Sequence, residues 1–355
     1  MELLSKLLKD MTANNASDLF ISTNATPAIR INGKLRSYEG KALAPGLTEK
    51  MAKKILDNEQ LKEFTKSKEI NVACAIPGIG RFRFNMFFQR NEIAMVVRSI
   101  PDKVPDLEGL GIPTLLQDTV MMKRGLVLVV GPSGAGKSTT LAAMIDYRNK
   151  NDISHIVTIE DPIEYLIANK KSIVNQREIG VDTLTYHNAL VNALRQSPDM
   201  IMIGEIRERN VMEDVLEFSD TGHLCLATMH ANNASQALER IIHMFPKEQR
   251  EEICNSLASN VKAIVSQVLV PTIYNERTVA LELLFSTPRV SDLIRRGNFS
   301  ELSDVMDKDT SHGMCTMDQS LYQSYCDDRI TEETALTYAN SISNMRLQIR
   351  LSAPG

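Results

Sequence analysis

A glycine-rich segment, Gly131-Pro-Ser-Gly-Ala-Gly-Lys-Ser138, constrains the fold of this chain more than any other feature. It follows the wholly apolar run Leu126–Val130 and precedes the helical stretch Ser138–Arg148. An apolar run of this kind predicts a strand that is buried on both faces, as strands of parallel sheets are. The segment therefore predicts a strand, a tight loop and a helix within an α/β sheet that is covered on both sides.

The same segment fits the phosphate-binding pattern G-x-x-x-x-G-K-[S/T], in the strand-to-helix context that this pattern requires. Its glycines let the loop turn backbone N–H groups toward phosphate, and the helix N-terminus adds the positive end of its dipole. Lys137 is expected to bind the β- and γ-phosphates, and the Ser138 hydroxyl to ligate Mg²⁺. The predicted ligands are thus ATP and Mg²⁺, and the predicted nucleotide-binding residues are Gly131, Pro132, Ser133, Gly134, Ala135, Gly136, Lys137, Ser138 and Thr139.

Further apolar runs alternate with helical spacing after this loop, and the alternation predicts a parallel α/β sheet. The chain from residue 291 onward is predicted to be mostly helical. The predicted strands are Ile156–Ile159, Met200–Ile203, Leu224–Met229 and Val279–Phe285, and the predicted helices are Tyr186–Gln196 and Asn210–Ser219.

The first hundred residues predict a smaller α+β domain. In Arg81–Phe87 polar and apolar residues alternate, so Arg81, Arg83 and Asn85 should share one face of a strand. Residues 101–117 are rich in proline and glycine and predict a linker. The other predicted elements are strands at Ser17–Ser22, Pro27–Ile31 and Ile93–Arg98, a turn at Asn32-Gly33 and one helical stretch at Leu47–Lys66.

Composition excludes several functional classes. The chain has 40 basic and 44 acidic residues, a formal charge of −4, which gives no electrostatic footprint for nucleic acid. Neither a secretory signal pattern nor an apolar stretch of the roughly 18 residues that a membrane span needs is present in the sequence. The five cysteines are scattered without zinc-site spacing, as expected for reduced thiols in a cytoplasm.

Acidic and histidine residues follow three of the predicted strands. Glu160, Asp161 and Glu164 come after the first of them, where they either activate water and contact metal or form a solvated acidic turn; the pattern alone leaves both open. Glu205 follows Met200–Ile203 and is expected either to bind Mg²⁺, directly or through water, or to orient the nucleophile. His230 follows Leu224–Met229 and is expected to contact Glu205 or the γ-phosphate.

Two further positions are interpreted as structural, and the role of a third, His223, is left open. Asp199 lies at the opposite end of its strand from Glu205, so we expect a turn residue. His223 precedes the strand that His230 follows, and a functional role for it has weaker support. Asn149-Lys150-Asn151-Asp152 matches the guanine-reading pattern N-K-x-D, but it lies too close to the phosphate loop and precedes a strand. We interpret it as a helix C-terminus and keep adenine as the predicted base.

Arginine is often supplied from another domain or subunit to stabilise charge during phosphoryl transfer. Arg81 and Arg83 share a strand face and Arg98 lies on the adjacent predicted strand. This basic face either closes over nucleotide or is simply solvated, and spacing alone does not decide between the two.

Together these motifs resemble the type II/IV secretion ATPase superfamily and, within it, the type IV pilus retraction ATPases of the PilT/PilU family. The resemblance covers nearly the whole chain. It rests on Ser17-Asp18-Leu19, Gly80-Arg-Phe-Arg83, the phosphate loop, Ile159-Glu-Asp-Pro-Ile-Glu164, Asn175-Gln-Arg-Glu178, Gly204-Glu-Ile-Arg207 and Thr221–His230.

The resemblance implies a fold and a set of roles. It implies a PAS-like domain at residues 1–100, a linker at 101–117 and a RecA-like ATPase domain at 118–355. It further implies that Glu164 is the catalytic glutamate, Glu205 the Walker B acid and His230 a sensor of nucleotide state. Arg81, Arg83 and Arg98 match arginines that reach the nucleotide in this family.

The resemblance also implies a function: a hexameric ATP-driven motor that retracts type IV pili in twitching motility, cytoplasmic and peripheral at the inner-membrane base of the pilus machine. The implied partners are other copies of the chain, a PilT-like ATPase and an inner-membrane platform protein, without nucleic acid and without membrane insertion. Residues 227–237 resemble the PilU branch, and Thr287–Arg295 departs from the Ala-Ile-Arg signature that the PilT branch carries at that helix. Two alternatives stay open: an accessory ring that assists a PilT-like motor by binding, and a secretion or DNA-uptake traffic ATPase.

Overall fold

The computed structural model describes residues 2–31, 33–101, 103–274 and 276–352. Its contacts divide the chain into two compact units. The first comprises residues 1–103 together with the short segment Glu164–Leu166, and the second comprises residues 104–163 and those from 167 onward.

The first unit is an antiparallel six-stranded sheet with three helices. The strand order is β3-β2-β1-β6-β5-β4, and every neighbouring pair is antiparallel. Its elements are α1 (Glu2–Ala13), β1 (Asp18–Ser22), β2 (Ala28–Ile31), β3 (Lys34–Ser37), α2 (Leu47–Ile55), α3 (Asn58–Ser67), β4 (Glu69–Ile76), β5 (Gly80–Gln89) and β6 (Glu92–Ile100).

Strand β5 shows how the sequence alternation builds this unit. Phe82, Phe84 and Met86 are fully buried in the core that the sheet forms with helices α1 to α3. Arg81 and Arg83 alternate with them and so lie on the opposite face, as predicted. Strands β2 and β3 pair as a hairpin, and Asn32 of the predicted turn lies outside the described residues.

The predicted helical character of Leu47–Lys66 is confirmed, but the stretch is divided into two helices. Helix α2 ends at Ile55, and Asp57 begins the next helix by accepting hydrogen bonds from the backbone N–H groups of Glu59 and Gln60. The Gln60 side chain accepts from the Asp57 N–H in return, which completes a capping box.

The second unit contains a seven-stranded sheet with the order β13-β12-β7-β11-β10-β8-β9. All neighbours are parallel except β12 and β13, the antiparallel pair at one edge of the sheet. Its elements up to that pair are α4 (Leu115–Val120), β7 (Gly125–Val130), α5 (Lys137–Asn151), β8 (His155–Glu160), β9 (Ile173–Glu178), α6 (Tyr186–Ala193), β10 (Met200–Ile203), α7 (Arg209–Asp220), β11 (Leu224–Met229), α8 (Ala234–His243), α9 (Arg250–Asn260), β12 (Val261–Pro271) and β13 (Arg277–Phe285).

Five helices follow the sheet, so the predicted helical C-terminal region is confirmed among the described residues. No helix in those same residues is long and apolar enough to cross a membrane. The helices are α10 (Pro288–Arg296), α11 (Leu302–Lys308), α12 (Met317–Cys326), α13 (Glu332–Tyr338) and α14 (Ile342–Ser352), and short 3₁₀ turns lie at Leu194–Gln196, Lys247–Gln249, Phe299–Glu301 and Thr310–His312.

This topology explains where a site can form. Strand β7 lies in the middle of the sheet between β11 and β12, and it is buried along its whole length. Strands β7, β8, β10 and β11 run in the same direction, so their carboxyl ends share one edge of the sheet. Ligands of open α/β sheets bind at that edge. The fold class is therefore the predicted α/β fold with a smaller α+β unit before it.

Candidate active site

The phosphate loop connects β7 to α5 as the sequence predicts. Gly136, with φ of 87°, is the N-cap of α5, a backbone conformation in which glycine carries no steric penalty. Gly131 is required for a different reason: a Cβ atom there would lie 2.4 Å from the backbone oxygen of Gln267 on β12. The loop thus lies directly against the neighbouring strand.

Lys137 is the first residue of α5, and its side chain curls over the loop. Its Nζ donates hydrogen bonds to the backbone oxygens of Gly131, at 2.8 Å, and Pro132, at 3.0 Å. Burial lowers the pKa of this ammonium, and the Glu205 carboxylate opposes that shift. A partly desolvated ammonium at this loop is well placed to leave its two carbonyl partners and donate hydrogen bonds to phosphate oxygens. Ser138 follows Lys137 and is exposed.

The backbone around Glu205 is held between two strands. Gly204 donates its N–H to the Ile159 oxygen at the end of β8, at 2.8 Å. Thr228 of β11 donates its hydroxyl to the Gly204 oxygen and accepts the Ile206 N–H at its own carbonyl, at 2.9 Å. These bonds fix the peptide units on both sides of Glu205, so its carboxylate has a defined direction at the sheet edge.

Both oxygens of the Glu205 carboxylate have partners. Arg207 donates Nε and Nη2 to Oε2, at 2.9 and 2.6 Å. His230, which follows β11, places Nε2 3.0 Å from Oε1. Glu205 also raises the pKa of Arg207, first through these hydrogen bonds and then through its charge. The predicted contact between His230 and Glu205 is therefore present.

A cleft of about 380 Å³ opens between the phosphate loop and the residues after β11. Its walls are Gly131, Pro132 and Ser133 on one side and the segment from His230 to Asn232, with Gln236 and Arg240 of α8, on the other. Arg240 donates Nη1 to the His230 oxygen, at 2.7 Å. The cleft combines loop backbone, one imidazole and one guanidinium, groups that suit an anionic ligand.

The acidic turn after β8 differs from the prediction. Glu160 does not offer its carboxylate to water or metal, because the side chain is buried and Oε1 accepts from the Thr158 hydroxyl at 2.7 Å and from Gln176 at 3.0 Å. The expectation of three available carboxylates is wrong at this position. Asp161 is exposed and precedes the cis peptide bond to Pro162.

Glu164 belongs to the segment that clusters with the first unit. Its Oε1 lies 3.6 Å from Arg83 Nη2, an ion pair longer than a hydrogen bond. Arg83 Nε and Nη2 and Arg81 Nε are buried, and no hydrogen-bond acceptor contacts them within the described residues. Two guanidinium groups therefore carry buried N–H donors without acceptors, which is costly unless another group meets them.

Arg98 is in a different situation from the other two arginines. It lies opposite Arg83 across β5 and β6, but its Nε donates to Asp18 Oδ1 at 3.0 Å. Asp18 is buried, and its Oδ2 lies 3.5 Å from Arg30 Nη1. Because Arg98 neutralises this buried carboxylate, its contacts account for its presence without any ligand.

The residues interpreted as structural have structural contacts, and so does His223. Asp199 Oδ2 accepts the His155 N–H at 2.7 Å. The His223 ring packs edge-on against Phe218 and lies 3.1 Å from the Thr221 hydroxyl. Asn149 near the end of α5 is buried; it donates to the Ala168 oxygen and accepts the Lys170 N–H. It therefore fastens a neighbouring loop.

Sequence reasoning missed three buried polar residues on β12 and β13. Gln267 donates Nε2 to the Ala135 oxygen of the phosphate loop, at 2.5 Å. Ser266 donates to the Asn232 oxygen at 2.7 Å, and Glu282 Oε1 accepts the Ala234 N–H at 2.8 Å. The sequence feature that could have revealed them is a polar residue inside an otherwise apolar strand sequence. Such residues need partners when buried, but the partners lie far away in sequence.

Comparison with known proteins decides the family. A family model described as "Type II/IV secretion system protein" matches residues 1–323. The chain belongs to the type II/IV secretion system protein family. It matches "Type IV pilus ATPase PilU" of Pseudomonas aeruginosa at 47% identity, over 98% of this chain and 91% of that protein.

Two further relatives extend this family assignment. "Twitching motility protein" of Neisseria gonorrhoeae is 37% identical, over 90% of this chain and 86% of that one. The solved structure "Crystal Structure of the Pilus Retraction Motor PilT and Bound ADP" superposes with a TM-score of 0.91 at 36% identity, covering 98% of each chain. This member of the type II/IV secretion system family is therefore an ATPase with the fold of that motor.

Proposed function

We propose that this chain is the ATP-hydrolysing motor of type IV pilus retraction in twitching motility and that it works as a homo-hexamer. The observation that carries the proposal is the match to a type IV pilus ATPase over 98% of the chain. The intact phosphate loop and the Glu205–His230 contact support it, because a chain retaining only the fold would not need them.

Phosphate binding falls to the loop Gly131–Gly136 with Lys137, Ser138 and Thr139. Loop N–H groups and the start of α5 meet the phosphate oxygens, and the Lys137 ammonium moves from the loop carbonyls to the β- and γ-phosphates. The cleft beside the loop holds the phosphate end of ATP, and His230 in its wall reports the state of the nucleotide through Glu205.

The residues present suit Mg²⁺. The available donors are the exposed Ser138 hydroxyl and the Glu205 carboxylate, both hard oxygen ligands. Mg²⁺ at nucleotide sites is held mainly by phosphate oxygens and water, with few protein ligands. Since Arg207 and His230 already engage Glu205, its remaining lone pairs suit metal-bound water. Bound Mg²⁺ would neutralise charge on the phosphates.

Hydrolysis requires a base and charge stabilisation. We assign the base to Glu164, which orients and deprotonates the attacking water, and charge stabilisation to Lys137, Arg81 and Arg83. The buried N–H donors of Arg81 and Arg83 support this assignment, because a phosphoryl group supplies the acceptors that they lack. Arg98 is assigned an indirect part, since it binds Asp18.

Further partners follow from the same proposal. A PilT-like ATPase and an inner-membrane platform protein are the partners expected of such a motor, with the chain on the cytoplasmic side of the pilus base. If this chain is a motor, its own ATP hydrolysis contributes to movement of the pilus. A ring that assists another ATPase only by binding would not need that hydrolysis.

The test is pilus retraction in cells whose only copy carries Glu164→Gln, measured with a PilT-like partner present and then absent. A motor predicts that the wild-type chain supports retraction and that the variant does not support it in either background. If the variant supports retraction with the partner present, and even the wild-type chain fails without it, the motor proposal is overturned in favour of an accessory ring.

A further inference from the structure

The side chain of Gln267 links the phosphate loop to helix α5. It is 1% exposed and comes from β12, the strand next to β7. Its Nε2 donates to the Ala135 oxygen within the loop, and its Oε1 accepts the Thr140 hydroxyl on the first turn of α5, at 2.9 Å. The side-chain amide of Gln267 therefore binds one residue before Lys137, Ala135, and one residue after it, Thr140.

The first of these bonds fixes the direction of a peptide unit. In a trans peptide the C=O and N–H bonds point in opposite directions. With the Ala135 oxygen held toward Gln267, the N–H of Gly136 in the same peptide unit points away from β12. Loop N–H groups directed in this way are the donors with which a phosphate-binding loop meets its ligand.

Gln267 also explains why glycine is needed at two loop positions. A Cβ atom at Gly131 would lie 2.4 Å from the Gln267 backbone oxygen, and one at Gly136 would lie 3.0 Å from Gln267 Nε2. The loop therefore packs on Gln267 through its first and last glycines. Gln267 lies 132 positions after Ala135 in the chain. The loop is therefore supported by a residue that is distant in sequence.

We propose that Gln267 is a positioning residue for the ATPase reaction: its amide holds the Ala135–Gly136 peptide and Thr140 so that the Gly136 N–H faces the phosphates. It rests on the ATPase activity of the family and on no other part of the proposed function. Gln267 contacts the loop and not the substrate, so it acts through the loop.

The experiment measures the KM for ATP, kcat per folded protein and the Kd for ADP of purified wild type and Gln267→Met. Methionine keeps the length of the side chain but removes both hydrogen bonds. We expect KM and Kd to rise about 10-fold, the usual effect of losing one hydrogen bond to a buried carbonyl, while kcat changes less than about 3-fold. Thr140→Val removes only the second contact, and we expect a rise of about 2-fold.

Val265→Ala is the matched control, since Val265 is buried two residues earlier on the same strand and face. It should lower Tm and leave KM and Kd unchanged. If Gln267→Met lowers Tm but leaves both constants at their wild-type values, Gln267 only packs and the proposal is overturned. If Gln267→Met does not fold, Thr140→Val decides: a Kd for ADP equal to that of wild type in this variant overturns the proposal. Absence of ATP turnover in the wild type would instead contradict the ATPase assignment.

Discussion

Two sets of polar residues, one in each unit, differ in whether their hydrogen-bonding atoms have partners. In the second unit, Gln267, Ser266 and Glu205 each have hydrogen-bond partners that hold the phosphate loop and the residues after β11. In the first unit, Arg81 and Arg83 keep buried N–H donors without acceptors in the part of the chain described. The first arrangement holds the phosphate loop in place, and the second leaves donors whose lack of acceptors costs stability. In the proposed function a phosphoryl group supplies those acceptors. Each can be tested separately.

Glu205→Gln tests the site whose polar groups are paired, and of the variants that test this comparison it should have the largest effect. The amide weakens both the Arg207 and the His230 contacts, and it removes the charge that suits metal-bound water. We expect kcat for ATP hydrolysis to fall about 100-fold, as on removal of one preorganised electrostatic group. The control is Glu208→Gln, an exposed glutamate three residues later, which should keep wild-type activity. Wild-type kcat in Glu205→Gln would show that the paired site is not catalytic.

Arg83→Ala tests the face of β5 on which Arg81 and Arg83 have buried N–H groups without hydrogen-bond acceptors in the described segments. If its donors serve the transferred phosphoryl group, kcat should fall about 10- to 100-fold. Tm should change little, because Arg83 Nε and Nη2 have no hydrogen-bond acceptor among the residues that the structure describes and the ion pair to Glu164 is long, at 3.6 Å. Arg36→Ala on the exposed strand β3 is the control for a change of charge. A lower Tm with normal kcat would reverse the comparison and make Arg83 structural.

Glu282, a buried residue of the second unit that accepts the Ala234 N–H, tests whether the stability of this unit depends on pH. Burial raises its pKa to about 7, from an ordinary value of 4.5. The folded state thus favours the protonated form, so stability is greatest below about 4.5, falls as pH rises toward 7 and is level above. Glu282→Gln resembles the protonated form, and we expect it to be more stable than wild type by about 1–3 kcal/mol at pH 8, with a smaller difference at pH 5.

Thermal unfolding at the two pH values measures this effect. The matched variant is Glu276→Gln, an exposed glutamate in the turn before β13, which should show the same Tm as wild type at both. A gain for Glu282→Gln that is equal at pH 5 and pH 8 would mean that ionisation of Glu282 plays no part.

Asp57→Ala should have the smallest effect, confined to the scaffold of the first unit. It removes the side chain that accepts from Glu59 and Gln60 at the start of α3, and loss of such a cap costs about 1 kcal/mol. Tm should fall slightly while kcat stays at its wild-type value. Asn58→Ala, at the next exposed position, should change neither. A fall in kcat for Asp57→Ala would mean that α3 influences catalysis.

Sequence predicted most of what is local. The order β7, loop and α5 follows from an apolar run, glycines and a lysine within a short stretch, and the Glu205–His230 contact follows from two residues placed after parallel strands. The break at Asp57 was also local, since the capping pair Asp57 and Gln60 is visible in the sequence but was overlooked.

Non-local pairing accounts for what was missed. Strand β12 carries Lys262, Ser266 and Gln267 among apolar residues, so its pattern is weak, and Gln267 acquires a role only because topology brings β12 beside β7. Glu160 looked available because Gln176, its partner on β9, belongs to a strand that was not predicted. Side-chain partners across a parallel sheet are set by strand order, which periodicity does not give.

The most direct measurement for the account is ATP binding and turnover by purified Glu164→Gln beside wild type. Because the carboxylate is assigned to act on water and not on nucleotide, the variant should bind ATP with a Kd within about 3-fold of wild type and hydrolyse it at least about 100-fold more slowly. Turnover at the wild-type rate would contradict the account, since hydrolysis would then need another base.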